Sequence, residues 1–349
     1  MKRILYSFVL CILLSGMIGC SALDQDKNKK EEVSSEVPDF IPLTTIKEGQ
    51  PDIYVIIKLM DSSYWKVIIN GVHDAGEALS CNVYYSGTNN ETDWKGQQKL
   101  INTALENNAK GIILAPDDSI ELSPDIEHIH ELGIPIVLVD TIANTDAFDI
   151  CYMTDNLLAG QKAAEEMINQ LYNIGHKESD SISVGIMVGQ STSQTINERL
   201  AGFYRYWSAN APKTWTIISD IKNCNGNIDL GGTLTEDLIN NYPNLCGLYG
   251  TNNGPTRALC STVLSKGRTD IVVIGFDFSD EMKNLIESDE YTASTMLQRQ
   301  YNMGYRAVQS VNALFSNRIP KIKFEDTGVV TVNKTTLYDT EVQEVLEQN

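Results

Sequence analysis

The chain has 349 residues, with 27 basic against 46 acidic side chains and a formal net charge of −19. Apolar residues at 42% and charged residues at 21% suit a folded body, and at about 150 residues per domain the length predicts two domains. The acid excess argues against nucleic acid, whose phosphates are held by Lys and Arg, and against adhesion of the whole molecule to anionic lipid.

Lys2 and Arg3 precede an apolar run from Ile4 to Leu14, followed by small residues up to Cys20. This is the pattern of a secretory signal over residues 1–19, and the run is too short to span a bilayer. Met17-Ile18-Gly19-Cys20 resembles the bacterial lipobox, with Met where Leu is usual. The resemblance implies that Cys20 is lipidated and that the protein is held on the extracytoplasmic face of the cell membrane. An ordinary cleaved signal, with no role for Cys20, is the alternative. Residues 20–49, polar and charged through Pro38, are expected to form a flexible tether.

From Pro51 two periods alternate. Apolar β-branched runs predict strands at Ile53–Ile57, Asn82–Tyr85, Gly111–Ala115 and Ile134–Val139. Helical spacing predicts helices at Tyr64–Leu79, Asp93–Asn107 and Pro124–Leu132 between them. The rhythm then restarts, with strands at Ile150–Met153, Ser183–Val188, Trp215–Ile218, Cys246–Tyr249 and Ile271–Phe276, each followed by a helix. A helix at Asn302–Phe315 and a strand at Gly328–Val332 close the pattern. Repeated strand–helix alternation predicts an α/β protein of two Rossmann-like parallel sheets, with ligands at the carboxyl ends of the strands.

Cys81, Cys151, Cys224, Cys246 and Cys260 are an odd number without close pairs, and read mainly as buried thiols. There is no zinc spacing, and His128 and His130 point apart on a helix, so neither a metal nor a cofactor is expected.

Several short stretches stand together in a recognisable order. They are Ser62-Ser63-Tyr64-Trp65 with Asn70-Gly71, Ala115-Pro116-Asp117-Asp118, Ile134-Pro135 leading to Asp140, and Asp155-Asn156 with Gly160. Glu198-Arg199 with Gly202-Phe203, Thr251-Asn252-Asn253 and Gly275-Phe276-Asp277 follow. With these the chain resembles the ribose- and galactose-type periplasmic sugar-binding proteins, the type I solute-binding components of ABC importers, over nearly all of residues 50–340. The resemblance implies two lobes joined by a three-strand hinge, with crossings near Thr154-Asp155, Gln298-Arg299 and Asp326-Thr327. The N-terminal lobe would hold residues 50–154 and 299–326, the C-terminal lobe 155–298 and 327–349. It also implies a monomer that presents a sugar to an ABC permease by closing around it.

A sugar offers hydroxyls to planar polar groups and C–H faces to flat rings. Tyr64 and Trp65 occupy positions where the family places stacking aromatics. Asp140 and Asp277 each terminate an apolar strand, where a carboxylate can accept from vicinal hydroxyls. The resemblance adds Arg199, Asn252 and Gln298 as cleft residues. Asn223 and Cys224 lie where a further contact is expected, and Asp93, Asp117 and Asp118 are weaker candidates. Ala115 and Thr141 stand where many ribose binders carry Asn and Arg, so ribose itself is not expected.

An enzyme is not expected, for there is no GxxxxGK[ST], no GxGxxG after a strand and no HExxH. A lactose-repressor-type regulator would need a basic helix-turn-helix where the signal and tether stand. The remaining alternative is sensory: presentation of a sugar or autoinducer to a histidine kinase or chemoreceptor.

Overall fold

The computed structural model describes residues 39–348 apart from Thr192. The first lobe begins with β1 (Ile41–Pro42), β2 (Asp52–Ile57), α1 (Ser63–Leu79), β3 (Asn82–Gly87), α2 (Trp94–Glu106), β4 (Gly111–Leu114), α3 (Ser123–Glu131), β5 (Ile136–Val139) and β6 (Ile150–Met153). The second follows with α4 (Asn156–Asn173), β7 (Ile182–Val188), α5 (Gln194–Asn210), β8 (Trp215–Ile217), β9 (Lys222–Asn223), α6 (Ile228–Asn241), β10 (Leu245–Gly250), α7 (Asn253–Lys266), β11 (Val272–Phe276), α8 (Asp280–Glu287) and β12 (Ala293–Gln298). The chain then returns to the first lobe for α9 (Gln300–Leu314) and β13 (Phe324–Asp326), and ends in the second with β14 (Val329–Asn333) and α10 (Thr340–Leu346).

Strand order is β1-β3-β2-β4-β5-β6-β13 in one sheet and β14-β12-β11-β10-β7-β8 in the other, where β9 also pairs with β7. All pairings are parallel except β1 with β3 and β14 with β12. Both faces of each sheet are covered. Ile53, Val55 and Ile57 pack with α1 and α9, while Tyr54 and Ile56 pack with α2 and α3. This explains why the strands read as continuous apolar runs rather than alternating ones.

The helices start where sequence signals place them. Asp93, Asp155 and Asn227 cap α2, α4 and α6 by accepting from the N–H three residues on, at 2.9 Å each. In each lobe two helices meet at paired glycines. A Cβ on Gly71 would lie 2.1 Å from the Tyr301 carbonyl oxygen, and one on Gly304 2.0 Å from that of Ile68. Gly160 and Gly202 repeat the arrangement between α4 and α5, at 2.1 Å from the Arg199 oxygen and 2.0 Å from that of Leu157. Only glycine allows helix backbones this close.

One expectation changes. Residues 40–47, expected in the tether, are docked on the first lobe. Phe40 packs edge-on against Tyr54 at 4.8 Å, Ile41 and Pro42 pair with β3, and the buried Thr44 hydroxyl bonds to Cys81 O. The tether reading therefore fails for this stretch; residues 1–38, with the signal and Cys20, lie outside the described residues. The five described cysteines are free thiols, all buried except the half-buried Cys246.

Candidate functional site

A cleft of about 750 Å³ opens where the carboxyl ends of both sheets face each other. All seven residues singled out in the sequence, Tyr64, Trp65, Asp140, Arg199, Asn252, Asp277 and Gln298, line it. The two lobes touch beside it, with the Thr141 and Thr195 hydroxyls 3.3 Å apart.

On the first-lobe side Asp140 follows β5 and is 8% exposed. One carboxylate oxygen accepts the Tyr64 hydroxyl at 2.5 Å; the other lies 3.1 Å from the Lys58 ammonium and accepts from Thr141 at 2.8 Å. Burial alone would raise this carboxyl, but Lys58, the two hydroxyl donors and Arg199 outweigh it and hold it below the ordinary range. Burial, with Asp140 and Asp277 nearby, pushes the Tyr64 phenol well up, so it stays a donor. Lys58 also donates to Thr141 at 2.7 Å, leaving one ammonium hydrogen for the cleft. Trp65 is only 2% exposed. Its ring meets Tyr64 edge-on at 5.0 Å, and its Nε1 donates to Glu91 at 3.1 Å.

On the second-lobe side Asp277 follows β11, and its Oδ1 accepts from Gln298 at 2.9 Å. Burial raises its pKa to about 6, against the lowering pull of Arg199 and Gln298, with Asp140 and Glu91 adding to the rise. Arg199 is 2% exposed and lies 3.9 Å over the Phe276 ring. It donates to Asn156 Oδ1 at 2.8 Å, Thr251 O at 2.8 Å and Gln298 Oε1 at 3.0 Å. Three of five guanidinium hydrogens are thus engaged within the protein, and two have no acceptor among the described residues. The Asn252 carbonyl accepts weakly from Thr251 at 3.3 Å, while Gly189 gives the amide room, since a Cβ there would sit 2.5 Å from it.

The weaker candidates fall away from the cleft. Asp93 caps α2, and Asp118 accepts from the N–H groups of Ile120 and Glu121 in a turn. Asp117 is 7% exposed, its N–H pinned by Gln97 at 2.7 Å, and burial raises its carboxyl to about 8. Cys224 is a core residue, and Asn223 accepts from the N–H of Asn225 in a turn. Asn225, Gly226 and Asn227 line the cleft in their place. Lys58, Glu91 and Arg257 were also missed. Lys58 had a signal, since it follows an apolar strand just as Asp140 and Asp277 do.

Two parallel-sheet lobes, three crossings and a polar cleft at the strand ends define a type I periplasmic binding protein fold. The chain belongs to the periplasmic binding protein domain family, whose profile matches residues 53–318. It is a family of solute binders, not of enzymes. Relatives include the D-ribose/D-allose-binding protein of Pseudomonas aeruginosa, 22% identical over 83% of this chain and 91% of that one. The D-allose-binding periplasmic protein of Escherichia coli is 22% identical over 83% and 94%. A carbohydrate transporter solute-binding protein from Agrobacterium radiobacter, solved with D-arabinose, superposes with a TM-score of 0.80 at 24% identity, over 86% of this chain and 99% of that one. The XylFII–LytSN complex contains the same fold, with a TM-score of 0.72 at 23% identity over 82% and 98%.

Proposed function

We propose that this chain is an extracytoplasmic solute-binding lipoprotein that captures a neutral sugar or sugar-like molecule between its lobes and delivers it to an ABC importer by docking in the closed state. One observation carries the reading. Each lobe presents a buried strand-end carboxylate, Asp140 or Asp277, beside a cation, Lys58 or Arg199, that keeps hydrogen-bond donors unspent within the protein. Acceptors and donors in mixed array suit vicinal hydroxyls, and positive and negative groups roughly balance, which disfavours a strongly charged guest. Tyr64 and Trp65, which both line the cleft, are the aromatic part of its wall. Relatives that bind ribose, allose and arabinose support the ligand class, and their variety leaves the stereochemistry to the contacts of this cleft.

Tyr64, Trp65, Asp140, Arg199, Asn252, Asp277, Gln298 and Lys58 are the proposed ligand contacts. Satisfying both lobes at once favours closure, the state a permease would recognise. The lipobox-like Met17–Cys20 supports a lipid anchor at Cys20, and no helix among the described residues is long and apolar enough to cross a membrane. A sensory role is the second reading, favoured by the XylFII–LytSN complex, in which a chain of this fold is assembled with another protein.

A thermal-shift screen over pentoses, hexoses, polyols and disaccharides tests the proposal. A bound sugar at a hundredfold excess over its Kd should add about 2.7 kcal/mol of stability. Turnover of the guest, or no shift with any hydroxyl-rich compound, would defeat it.

A further inference from the structure

Residues 315–324, Phe-Ser-Asn-Arg-Ile-Pro-Lys-Ile-Lys-Phe, carry three cations and no carboxylate, in a chain whose net charge is −19. They connect α9 to β13, the edge strand of the first sheet. Exposure is 74% at Ile319, 54% at Ile322, 38% at Phe324 and 36% at Phe315. Single exposed apolar residues need no account, but four within ten residues do. Edge protection explains the lysines and Pro320, because charge and proline discourage strand pairing. It does not explain the isoleucines. The Lys323 ammonium is engaged by the carbonyls of Asp146 and Phe148, whereas Arg318 and Lys321 make no ion pair among the described residues.

We infer that residues 315–324 form a membrane-contact patch, in which Phe315, Ile319, Ile322 and Phe324 enter the interface of an anionic bilayer while Arg318 and Lys321 meet lipid phosphates. Apolar side chains interleaved with basic ones suit the boundary between headgroups and acyl chains. Repulsion from the distant acidic surface is screened beyond about 8 Å at physiological salt, so the local charge decides. A lipid surface is favoured over an acidic protein by proximity, and this rests on the proposed anchor. The chain enters the lobe through β1, at the opposite edge of the sheet from β13, and the nineteen residues from Cys20 to Pro38 span at most about 65 Å, which is enough for the patch to reach the bilayer and lets it act with little affinity of its own. The segment precedes β13, which runs parallel to its neighbour toward the cleft end, and so lies at the opposite pole of the lobe. Contact there leaves the cleft mouth open to solvent.

The test holds the full chain on vesicles through an N-terminal hexahistidine tag and a nickel-chelating lipid, which makes the outcome independent of Cys20. Hydrogen exchange at residues 316–323 is compared on phosphatidylcholine vesicles with and without about 30% phosphatidylglycerol, and in solution. On anionic vesicles the segment should exchange about fivefold more slowly, and the effect should vanish in the Ile319→Ser/Ile322→Ser variant and in about 0.5 M salt. The melting temperature of that variant should be unchanged, which confirms its fold. Equal exchange on both vesicle types, or slowing that follows protein concentration without lipid, overturns the patch; the second result would point to contact between copies. Soluble behaviour of the untagged chain in cell fractions would instead overturn the lipid anchor alone.

Discussion

Asp140 and Asp277 are structural counterparts in the two lobes. Each ends a buried strand in the left-handed region with φ of 66°, and each donates its N–H to the neighbouring strand, to Tyr152 O at 2.9 Å and Met296 O at 3.0 Å. A non-glycine residue there carries a strain of about 1–3 kcal/mol, least for Asp and Asn, so a functional reason for the side chain is expected. Their electrostatics diverge, because Asp140 has a lysine in contact and Asp277 has its cation farther away.

Asp277 makes the apo protein less stable at neutral pH. Its folded pKa of about 6 exceeds the ordinary value of about 3.9, so between those values the folded form holds a proton that the unfolded form has released. Stability therefore falls as pH rises through about 4 to 6 and is flat above, with a full cost on the order of 3 kcal/mol. Asp277→Asn, which tolerates the same backbone, should melt several degrees above the unsubstituted protein at pH 7.5, the two curves merging below about pH 4, while ligand stabilisation is lost. Parallel melting curves across this range would refute the assignment.

Asp140 has the opposite sign. Its depressed folded pKa contributes stability that is present above the ordinary value and lost as pH falls through the lower folded one. Removing only one partner of the buried pair leaves a stranded charge, at a cost of about 3–5 kcal/mol. Lys58→Met should therefore be severely destabilising, and Lys58→Met/Asp140→Asn should recover much of the loss. Urea unfolding of the parent, Lys58→Met, Asp140→Asn and the double variant measures this, and simple additivity would rule out the coupling.

Trp65 serves the core as well as the cleft. It packs with Ile68 and Val72 beneath the first sheet, so Trp65→Ala should cost about 3–5 kcal/mol and cannot isolate a binding role. Trp65→Phe keeps an aromatic ring in the core, loses the volume of the indole's second ring and removes the bond to Glu91. Fluorescence titration should show the ligand-dependent tryptophan signal abolished and affinity weakened severalfold. An unchanged signal would place the ligand elsewhere.

Gly160 lies outside the cleft yet controls Arg199. Adding a methyl group 2.1 Å from the Arg199 carbonyl oxygen must push α5 away from α4. Gly160→Ala should destabilise by about 1–3 kcal/mol and weaken ligand binding at least tenfold. Calorimetry on the folded variant decides, and full affinity would mean that the helices have slack to give.

The strand-end carboxylates were legible because a buried parallel strand advertises its end with an abrupt polar residue. Lys58 obeys the same rule, but a lysine after a strand reads as solvated until its partners Asp140 and Thr141 are known. The burial of Asp117 was not legible for the converse reason, since only the fold reveals that an acidic loop residue is sealed behind Gln97 and Thr88. β1, β9 and β13 are two or three residues long, and their pairing depends on distant strands rather than local pattern. Helical spacing put Trp65 at a helix start, but how deeply its ring is buried depends on α9, over two hundred residues later.

Gln298 Oε1 accepts from Thr154 at one crossing and from Arg199 at the cleft floor, and its Nε2 grips Asp277. One amide thus belongs to the axle and to the recognition surface together. On the proposed function, selectivity and the open–closed balance are therefore coupled: a substitution at Gln298 that retunes which guest is accepted should also reset how readily the jaws shut.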